Sequence, residues 1–242
     1  MEAEGFAPPP NYELLSGPRV KGAREVLRFL LSREGGKARF SEIAGALGVK
    51  KQTLEHRLSI LSRCGLIERE PRAPISVKFR TPLCFIRDTP KVPYAYLGLL
   101  GMREGRVEAE TEAAVSLLEG ELKASFELVT VLTTREATGS WSESVPRGLE
   151  ERMETLHLSK EAMGDILSVE ERIRPKVSRL ARGYKLVMDC TSGMRPAGIA
   201  YYRLAMEYNV PLVYVYEGER KLFWLISKRD LEGKFKRILE EG

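Results

Sequence analysis

The sequence predicts an α/β protein of two domains, in which a small, basic, mostly helical domain precedes a larger one built on a mostly parallel sheet. The first observation is charge: residues 15–82 hold 15 Lys and Arg against 6 Asp and Glu, whereas residues 91–242 hold 23 against 24. The second is that apolar, strand-like runs alternate with helix-like segments from residue 94 onward. This alternation is typical of a parallel sheet that is covered by helices on both faces.

Composition narrows the class of protein. A chain of 242 residues, 43% of them hydrophobic, suits two modest soluble domains, and residues 1–14 are acidic and proline-rich, which predicts a tail rather than a secretory signal. No apolar run approaches the ~20 residues that cross a bilayer, so no membrane partner is expected. Cys64, Cys84 and Cys190 form no CxxC pair, which argues against a metal site. We predict a cytoplasmic protein with reduced thiols and no cofactor.

Three helices are predicted in the basic part of the chain. Residues 19–33 have apolar side chains at helical spacing, and the glycine pair 35–36 ends this helix. Ser41 is predicted to cap a short second helix, and Gly48 gives the tight turn before a third helix over residues 50–64. The inward-facing side chains are Val26, Leu27, Leu30 and Leu31 in the first helix, Ile43, Ala44 and Leu47 in the second, and Leu54, Leu58 and Leu61 in the third.

A β-hairpin is predicted directly after the third helix. Gly65 is expected at the carboxyl end of that helix. Two β-rich runs, residues 66–70 and 75–80, then flank a turn at residues 71–74 that contains two prolines. A helix, a short helix, a turn, a third helix and a hairpin wing make up a winged helix-turn-helix, which we assign to residues 15–86.

Residues 41–70 resemble the pattern of bacterial and archaeal winged-helix regulators. Lys50 stands where the third helix usually begins with a Ser or Thr cap, which weakens the cap and adds a charge that attracts phosphate. The resemblance is carried by Ile43, Ala44, Leu47, Gly48, Val49, Thr53, Leu58, Leu61, Gly65, Leu66 and Ile67.

The exposed side of the third helix and the wing are the predicted contact with double-stranded DNA. Gln52 and Arg57 offer paired hydrogen-bond geometry for base edges, and Thr53 and His56 lie on the same side. The alternative is that these are solvated charges of a winged helix that contacts proteins, but the concentrated positive charge favours DNA. The cations predicted to hold phosphates are Lys50, Lys51, Arg72, Lys78 and Arg80.

The second domain is predicted to begin after a linker. Residues 87–92, followed by Pro93, combine charge with two prolines and mark the boundary, so residues 93–242 form the larger domain. Pro175 is expected to kink or break one of its helices. The predicted strands are 94–101, 126–134, 153–159, 184–190 and 210–218, with an edge hairpin at 221–227, and the predicted helices are 108–122, 168–181, 196–208 and a last one at the end of the chain.

Two loops at the strand ends are the predicted ligand site. Residues 101–106 follow the first strand, and residues 189–196 follow the fourth and lead directly into a helix, whose first amides and dipole favour an anion. Neither loop is a P-loop or a GxGxxG loop, which argues against kinases, NTPases and dehydrogenases. The predicted ligand-binding residues are Gly101, Met102, Arg103, Thr133, Thr134, Thr191, Ser192, Gly193, Met194, Arg195 and Pro196.

Residues 187–218 resemble the hallmark segment of CRISPR-associated Rossmann-fold (CARF) domains. In that family a strand ends in a turn of the Thr-Gly-Gly-Thr-Lys type, a helix rich in small residues follows, and the next strand ends in tyrosine. Here the turn is residues 191–195, with Ser, Met and Arg in place of Gly, Thr and Lys. The resemblance implies a Rossmann-like homodimer that binds cyclic oligoadenylate, the second messenger of type III CRISPR defence. Joined to a winged helix, such a domain is similar to CRISPR-linked transcription regulators, although in many of them the winged helix follows the CARF domain.

Two enzymatic alternatives remain open. CARF domains that are metal-independent ring nucleases cleave their own ligand, and the candidate catalytic residues for this are Thr191, Ser192 and Arg195. Arg152 and His157 match the Arg-x4–6-His spacing of CARF-linked ribonucleases, but this segment is predicted to be a strand, with His157 half-buried. Asp189 is expected to cap the turn that follows it. The tyrosines expected in the core rather than stacked on adenine are Tyr94, Tyr96, Tyr201, Tyr202, Tyr214 and Tyr216.

Overall fold

A computed structural model of the chain describes residues 7–103, 105, 108–141 and 150–240. Residues 15–86, called here the amino-terminal unit, contain three helices followed by a hairpin, in the order that the sequence predicts. The strand β1 and the short helix α4 were not predicted. The elements are α1 (Lys21–Leu31), β1 (Lys37–Ala38), α2 (Phe40–Leu47), α3 (Lys51–Arg63), β2 (Ile67–Glu68), β3 (Ile75–Val77) and α4 (Leu83–Ile86).

Local hydrogen bonds determine where these helices begin and end. The N–H of Arg39 donates to the Glu42 carboxylate over 2.6 Å, so α2 begins after Arg39. The prediction that Ser41 caps this helix is wrong, because Ser41 lies inside the first turn. Lys50 precedes the first turn of α3, as predicted. Gly65 follows that helix with a φ of 69°, a left-handed conformation that glycine adopts without strain.

Residues 93–240, the α/β unit, form a Rossmann-like sheet. Its order is β6-β5-β4-β7-β8-β9, with the first five strands in the chain parallel and the last antiparallel. Numbered within the unit, this is the doubly wound order 3-2-1-4-5-6, which confirms the predicted fold class. The strands are β4 (Tyr94–Leu99), β5 (Phe126–Thr133), β6 (Met153–His157), β7 (Lys185–Asp189), β8 (Leu212–Tyr216) and β9 (Lys221–Ile226).

One helix of the α/β unit contains a proline in its interior. Pro175 was expected to kink or break this helix, and a break is not observed, because the helix continues through this residue. Ile173 and Val177, on either side, are fully buried, and their packing outweighs the loss of one backbone hydrogen bond. The helices are α5 (Glu110–Leu122), α6 (Arg135–Trp141), α7 (Lys160–Met163), α8 (Ile166–Gly183), α9 (Arg195–Tyr208) and α10 (Lys228–Leu239).

The two units share one hydrophobic core. A single cluster of buried side chains extends from Leu15 and Leu27 in the amino-terminal unit to Leu231 and Phe235 on α10. The predicted linker is packed within this assembly, since the Thr89 hydroxyl is buried and donates to the Leu31 carbonyl over 2.8 Å. The amino-terminal unit is therefore held against the α/β unit by packing as well as by the connecting chain.

Residues 7–14, predicted as a tail, lie against both units. The Asn11 N–H donates to the Cys64 carbonyl over 3.0 Å, and the Tyr12 ring meets the Phe235 ring edge-on at 4.7 Å between centroids. This segment therefore joins α3 to α10. Within the described ranges, no helix is both long and apolar enough to cross a membrane.

Candidate functional site

The candidate site lies at the carboxyl edge of the sheet between β4 and β7. These adjacent parallel strands are the point where the strand order reverses, because β4 connects to β5 on one side and β7 to β8 on the other. The chain therefore leaves these strands in opposite directions, and this is where such sheets usually have a ligand-binding crevice. Residues 104 and 106 of the predicted first loop lie outside the described residues.

A buried hydrogen-bonded clamp joins the two loops. The Gly101 N–H donates to Ser192 Oγ over 2.7 Å, and the Ser192 hydroxyl donates to the Glu110 carboxylate. Ser192 is 4% exposed and Glu110 is 7% exposed. A Cβ at Gly101 would lie 2.8 Å from Ser192 Oγ and 3.1 Å from Glu110 Oε2, so any side chain here would displace the Ser192 hydroxyl. The Ser192 hydroxyl, predicted as a ligand contact, thus holds the loops together.

Thr191 is also engaged within the protein. The Thr191 amide N–H and hydroxyl both donate to the Asp189 carboxylate, so Asp189 caps the turn that follows it, as expected. Thr191 Oγ1 also accepts the Val215 N–H over 2.7 Å. Asp189 is fully buried and accepts from the Tyr96 hydroxyl over 2.5 Å. Burial raises the pKa of Asp189, while the hydrogen bonds from Thr191 and Tyr96 oppose that rise. This network fixes the end of β7 beneath the loop.

The groups that remain exposed at the crevice belong to the start of α9. Gly193 has a φ of 82°, which turns the chain into the helix, and Gly193, Met194 and Arg195 are exposed. Pro196 occupies the first turn, where its missing N–H is not needed. Met102, from the loop after β4, is also exposed. Among the described residues, the accessible surface therefore includes the start of α9, the Arg195 guanidinium and two methionines.

α6, which was not predicted, supports the loop after β4. Trp141 Nε1 donates to the Gly101 carbonyl over 2.8 Å. The Arg103 guanidinium lies 5.7 Å from the Trp141 ring centroid, and the Arg103 backbone N–H donates to Ser140 Oγ over 3.2 Å. Trp141 and Ser140 are thus positioning residues that sequence reasoning missed, and an aromatic residue closing a short polar segment was the only available signal.

The remaining predicted ligand residues are used differently. Thr133 is buried and donates to the Leu100 carbonyl over 2.7 Å, and Thr134 Oγ1 accepts the Ala137 N–H at the start of α6. Both hydroxyls organise the carboxyl edge of the sheet. Among the described residues, no group of three or more His, Cys, Asp or Glu side chains is arranged to hold a metal ion.

Arg152 and His157 do not form a joint site. Arg152 lies just before β6 and pairs with Glu119, with 2.6 Å between Nη1 and Oε1. His157 ends the same strand and meets the Thr138 hydroxyl, 3.0 Å from Nε2. The two residues are five positions apart along an extended segment, which places their Cα atoms about 16 Å apart. The expectation that His157 is half-buried is wrong, because this residue lies exposed at the edge.

The predicted DNA-contact residues fall into two groups. Arg57 is only partly exposed, and its Nη1 lies 2.9 Å from Glu25 Oε2 on α1. Arg80 is half-buried and donates to the Val77 carbonyl, and Lys78 is half-buried. The residues that are exposed on the first turns of α3 and on the hairpin turn are Lys50, Lys51, Gln52, Thr53, His56 and Arg72.

An exposed apolar face extends from α9 across the open side of β8 and β9. Tyr214 pairs with Phe223 across the two strands, and Tyr202, Met206 and Leu225 line one cleft beside them. Tyr96 and Tyr201 are buried as expected, but the expectation was wrong for Tyr202, Tyr214 and Tyr216, which are 46%, 38% and 49% exposed. The apolar face consists of Ile199, Tyr202, Met206, Tyr214, Tyr216, Phe223 and Leu225.

Comparisons with known proteins give distant structural similarities. No protein-family model matches the chain, and no curated protein matches it. Protein VC1899 from Vibrio cholerae is similar with a TM-score of 0.44 and 16% identity over 56% of this chain and 34% of that one. Can2 from Sulfobacillus thermosulfidooxidans, in complex with cyclic tetra-adenylate, is similar with a TM-score of 0.38 and 14% identity over 56% of this chain and 35% of that one. Enterococcus italicus Csm6, bound to cyclic hexa-2'-fluoro-hexa-dAMP, is similar with a TM-score of 0.40 and 10% identity over 62% of this chain and 39% of that one. The chain thus spans less than two fifths of the length of each of these proteins.

Proposed function

We propose that the protein is a homodimeric, DNA-binding transcriptional regulator controlled by cyclic oligoadenylate. In this proposal the α/β unit is a CARF domain and the amino-terminal unit is a winged helix-turn-helix. The observation that carries the proposal is the clamp between Gly101 and Ser192, which joins the two loops into one surface that opens on the start of α9. One of the two loops, residues 191–195, lies within the segment that resembles the CARF hallmark.

The exposed groups suit a ligand with several phosphates. α9 is a helix of 14 residues, and the amides and dipole at its start favour an anion. Arg195 adds a planar guanidinium that can hold two phosphate oxygens at once. The hydroxyls of Thr191 and Ser192 are committed to the fold, so the ligand is held by backbone amides and by Arg195. This arrangement supports binding more than cleavage, because both hydroxyls are hydrogen-bonded within the protein.

A second copy of the chain is the proposed occupant of the apolar face. Seven large apolar side chains exposed together are typical of an interaction surface. α9 starts at Arg195 and carries Ile199, Tyr202 and Met206, so a two-fold contact along it brings the two ligand loops towards each other. A ring with two-fold symmetry and a DNA site with two half-sites both suit such a dimer.

Calorimetry with cyclic tetra-adenylate and cyclic hexa-adenylate tests the proposal. We expect one of the rings to bind with a Kd below about 10 μM, at least ~7 kcal/mol, and with one ring per two chains of 27.3 kDa. Arg195→Ala is expected to weaken binding more than Arg195→Lys, because lysine keeps the charge but loses the planar fork. Failure of both rings to bind the wild-type protein would refute ligand control. Slow cleavage of the bound ring without metal would instead support the ring-nuclease alternative.

DNA binding is expected to depend strongly on salt. Lys50→Ala or Lys51→Ala should weaken binding to every duplex and reduce the slope of log K against log salt by about one unit for each lost contact. Gln52→Ala should alter sequence preference instead. Arg63→Ala, which removes the same charge from the opposite end of α3, is the matched control and should leave the slope unchanged. Fluorescence anisotropy at several salt concentrations measures these slopes, and equal affinity at low and high salt would contradict the proposal.

A further inference from the structure

α8 connects the candidate ligand site to the amino-terminal unit. It is a continuous helix of 18 residues, about 27 Å long, and it runs antiparallel to β7 along the sheet. Gly164, just before the helix, is close enough to the exposed loop that an added Cβ would lie 3.5 Å from Met194 Cε. At the other end, the Ala181 carbonyl accepts the N–H groups of Arg80 and Thr81, over 2.7 and 3.0 Å.

β7 makes the same connection by a second route. Its carboxyl end leads into the loop that carries Arg195, and its first residues are bonded to Thr81. The Leu186 N–H donates to Thr81 Oγ1 over 2.6 Å, and the Thr81 hydroxyl donates to the Tyr184 carbonyl over 2.8 Å. Thr81 is 1% exposed. The buried Thr81 side chain of the amino-terminal unit is therefore hydrogen-bonded to the start of β7, and the end of β7 leads into the loop that carries Arg195.

Further contacts hold α8 to the amino-terminal unit near Thr81. The Arg182 guanidinium pairs with Glu68 on β2, with 2.6 Å between Nη2 and Oε1. The Ser178 hydroxyl donates to the Ala7 carbonyl over 2.8 Å in a buried contact. Thr81 itself follows β3 by four residues, so the hairpin and the end of α8 are neighbours in sequence and in space. The hairpin and the residues that follow it are thus bonded to the carboxyl end of α8 and to the start of β7. The opposite ends of α8 and β7 lie next to the candidate ligand site.

We infer that α8 and β7 couple the ligand loops to the DNA-binding hairpin, and that Thr81 is the positioning residue at their junction. The inference rests on the proposed function for the identity of the two ligands. A displacement of Met194 and Arg195 moves the near ends of two stiff elements, and hydrogen bonds at their far ends transmit it to Thr81. Coupling of this kind is a free energy shared between two sites, so a change at Thr81 alters the coupling and leaves each separate affinity unchanged.

Thr81→Val tests the inference, because valine keeps the branched shape and removes both hydrogen bonds of the hydroxyl. The affinity for the ring is measured with and without a DNA duplex, and the affinity for DNA with and without the ring. In the wild-type protein we expect each ligand to change the affinity of the other by the same factor, about five-fold or more. In Thr81→Val that factor should fall below about two-fold while each separate affinity stays within about two-fold of wild type. Thr81→Ser keeps the hydroxyl and is expected to restore the coupling.

The outcomes separate the inference from the proposed function. Full coupling in Thr81→Val would overturn the inference and leave the proposed function standing. Should Thr81→Val fold poorly, Arg182→Gln weakens the same junction at a partly exposed pair and is expected to lower the coupling factor. If wild-type protein binds neither ring nor DNA, the proposed function fails, and hydrogen exchange then decides the inference. In Thr81→Val the rate of amide hydrogen exchange should rise both at Lys78 in the hairpin and in residues 191–195. A rise confined to the neighbours of Thr81 would overturn the inference.

Discussion

Replacing Gly101 with alanine is expected to weaken the binding of cyclic oligoadenylate about 100-fold, or ~2.7 kcal/mol. The added Cβ would lie 2.8 Å from Ser192 Oγ, so the Ser192 hydroxyl must leave the Gly101 N–H and the Glu110 carboxylate. Loss of a hydrogen bond to a buried charged group costs about 1–3 kcal/mol, and the two loops lose their common alignment. Calorimetry measures the affinity, and denaturation measures the accompanying loss of stability.

Gly198→Ala is the matched control for this substitution. Gly198 lies in α9 beside the same crevice, and an added Cβ there would meet only the Cys190 carbonyl at 3.8 Å and the Cys190 Cβ at 4.0 Å. These are ordinary contacts, and alanine favours a helix interior by up to about 1 kcal/mol over glycine. We expect Gly198→Ala to bind the ring as wild type does. Wild-type affinity in Gly101→Ala would contradict the role assigned to the clamp.

Replacing Phe235 with alanine is expected to lower the free energy of unfolding by about 3–5 kcal/mol. Phe235 is 2% exposed and its ring contacts Tyr12 in the core that both units share. Because that core is continuous, we expect wild-type protein and variant to unfold in a single transition. Chemical denaturation followed by circular dichroism and by tryptophan fluorescence measures both quantities.

Leu14→Ala is the control for the shared core. Leu14 adjoins the same segment but is 53% exposed, so its truncation should change stability by less than about 0.5 kcal/mol. Two separate transitions in wild-type protein, only one of them shifted by Phe235→Ala, would show that the units are stabilised independently.

The longer helices and most of the strands were predictable because each is encoded locally, whereas β1, α4 and α6 were not predicted. The three helices before the hairpin and the alternation of strands and helices follow from apolar spacing alone. α9 shows where this information ends. Tyr201 and Tyr202 are adjacent, yet one is buried and the other exposed, because the helix is apolar on both sides and only the sheet decides which side packs. Sequence spacing could not make that choice.

The candidate site was predictable in position but not in its contacts. Strand ends locate the two loops, and the loops do meet at the reversal of strand order. The Ser192 hydroxyl looked available for a ligand because its partner, Glu110, is 82 positions away in the chain. In sequence, Glu110 resembles any acid in the first turn of a helix. Trp141 was missed for the same reason, since its partner at Gly101 is 40 positions away.

Two contacts between the ends of the chain bear on the order in which the protein can fold. The Tyr12 ring contacts the Phe235 ring, and the Arg28 guanidinium donates to the Glu240 carbonyl, 212 positions away. Domains generally fold as units during synthesis, from the amino terminus onward. Here the apolar side chains of α10 pack against α1 and α4 and complete the core around them. Residues 15–86 therefore keep apolar surface exposed during synthesis until α10 has been made. The helices α1–α3 and the hairpin are thus fully packed only once the whole α/β unit has been synthesised.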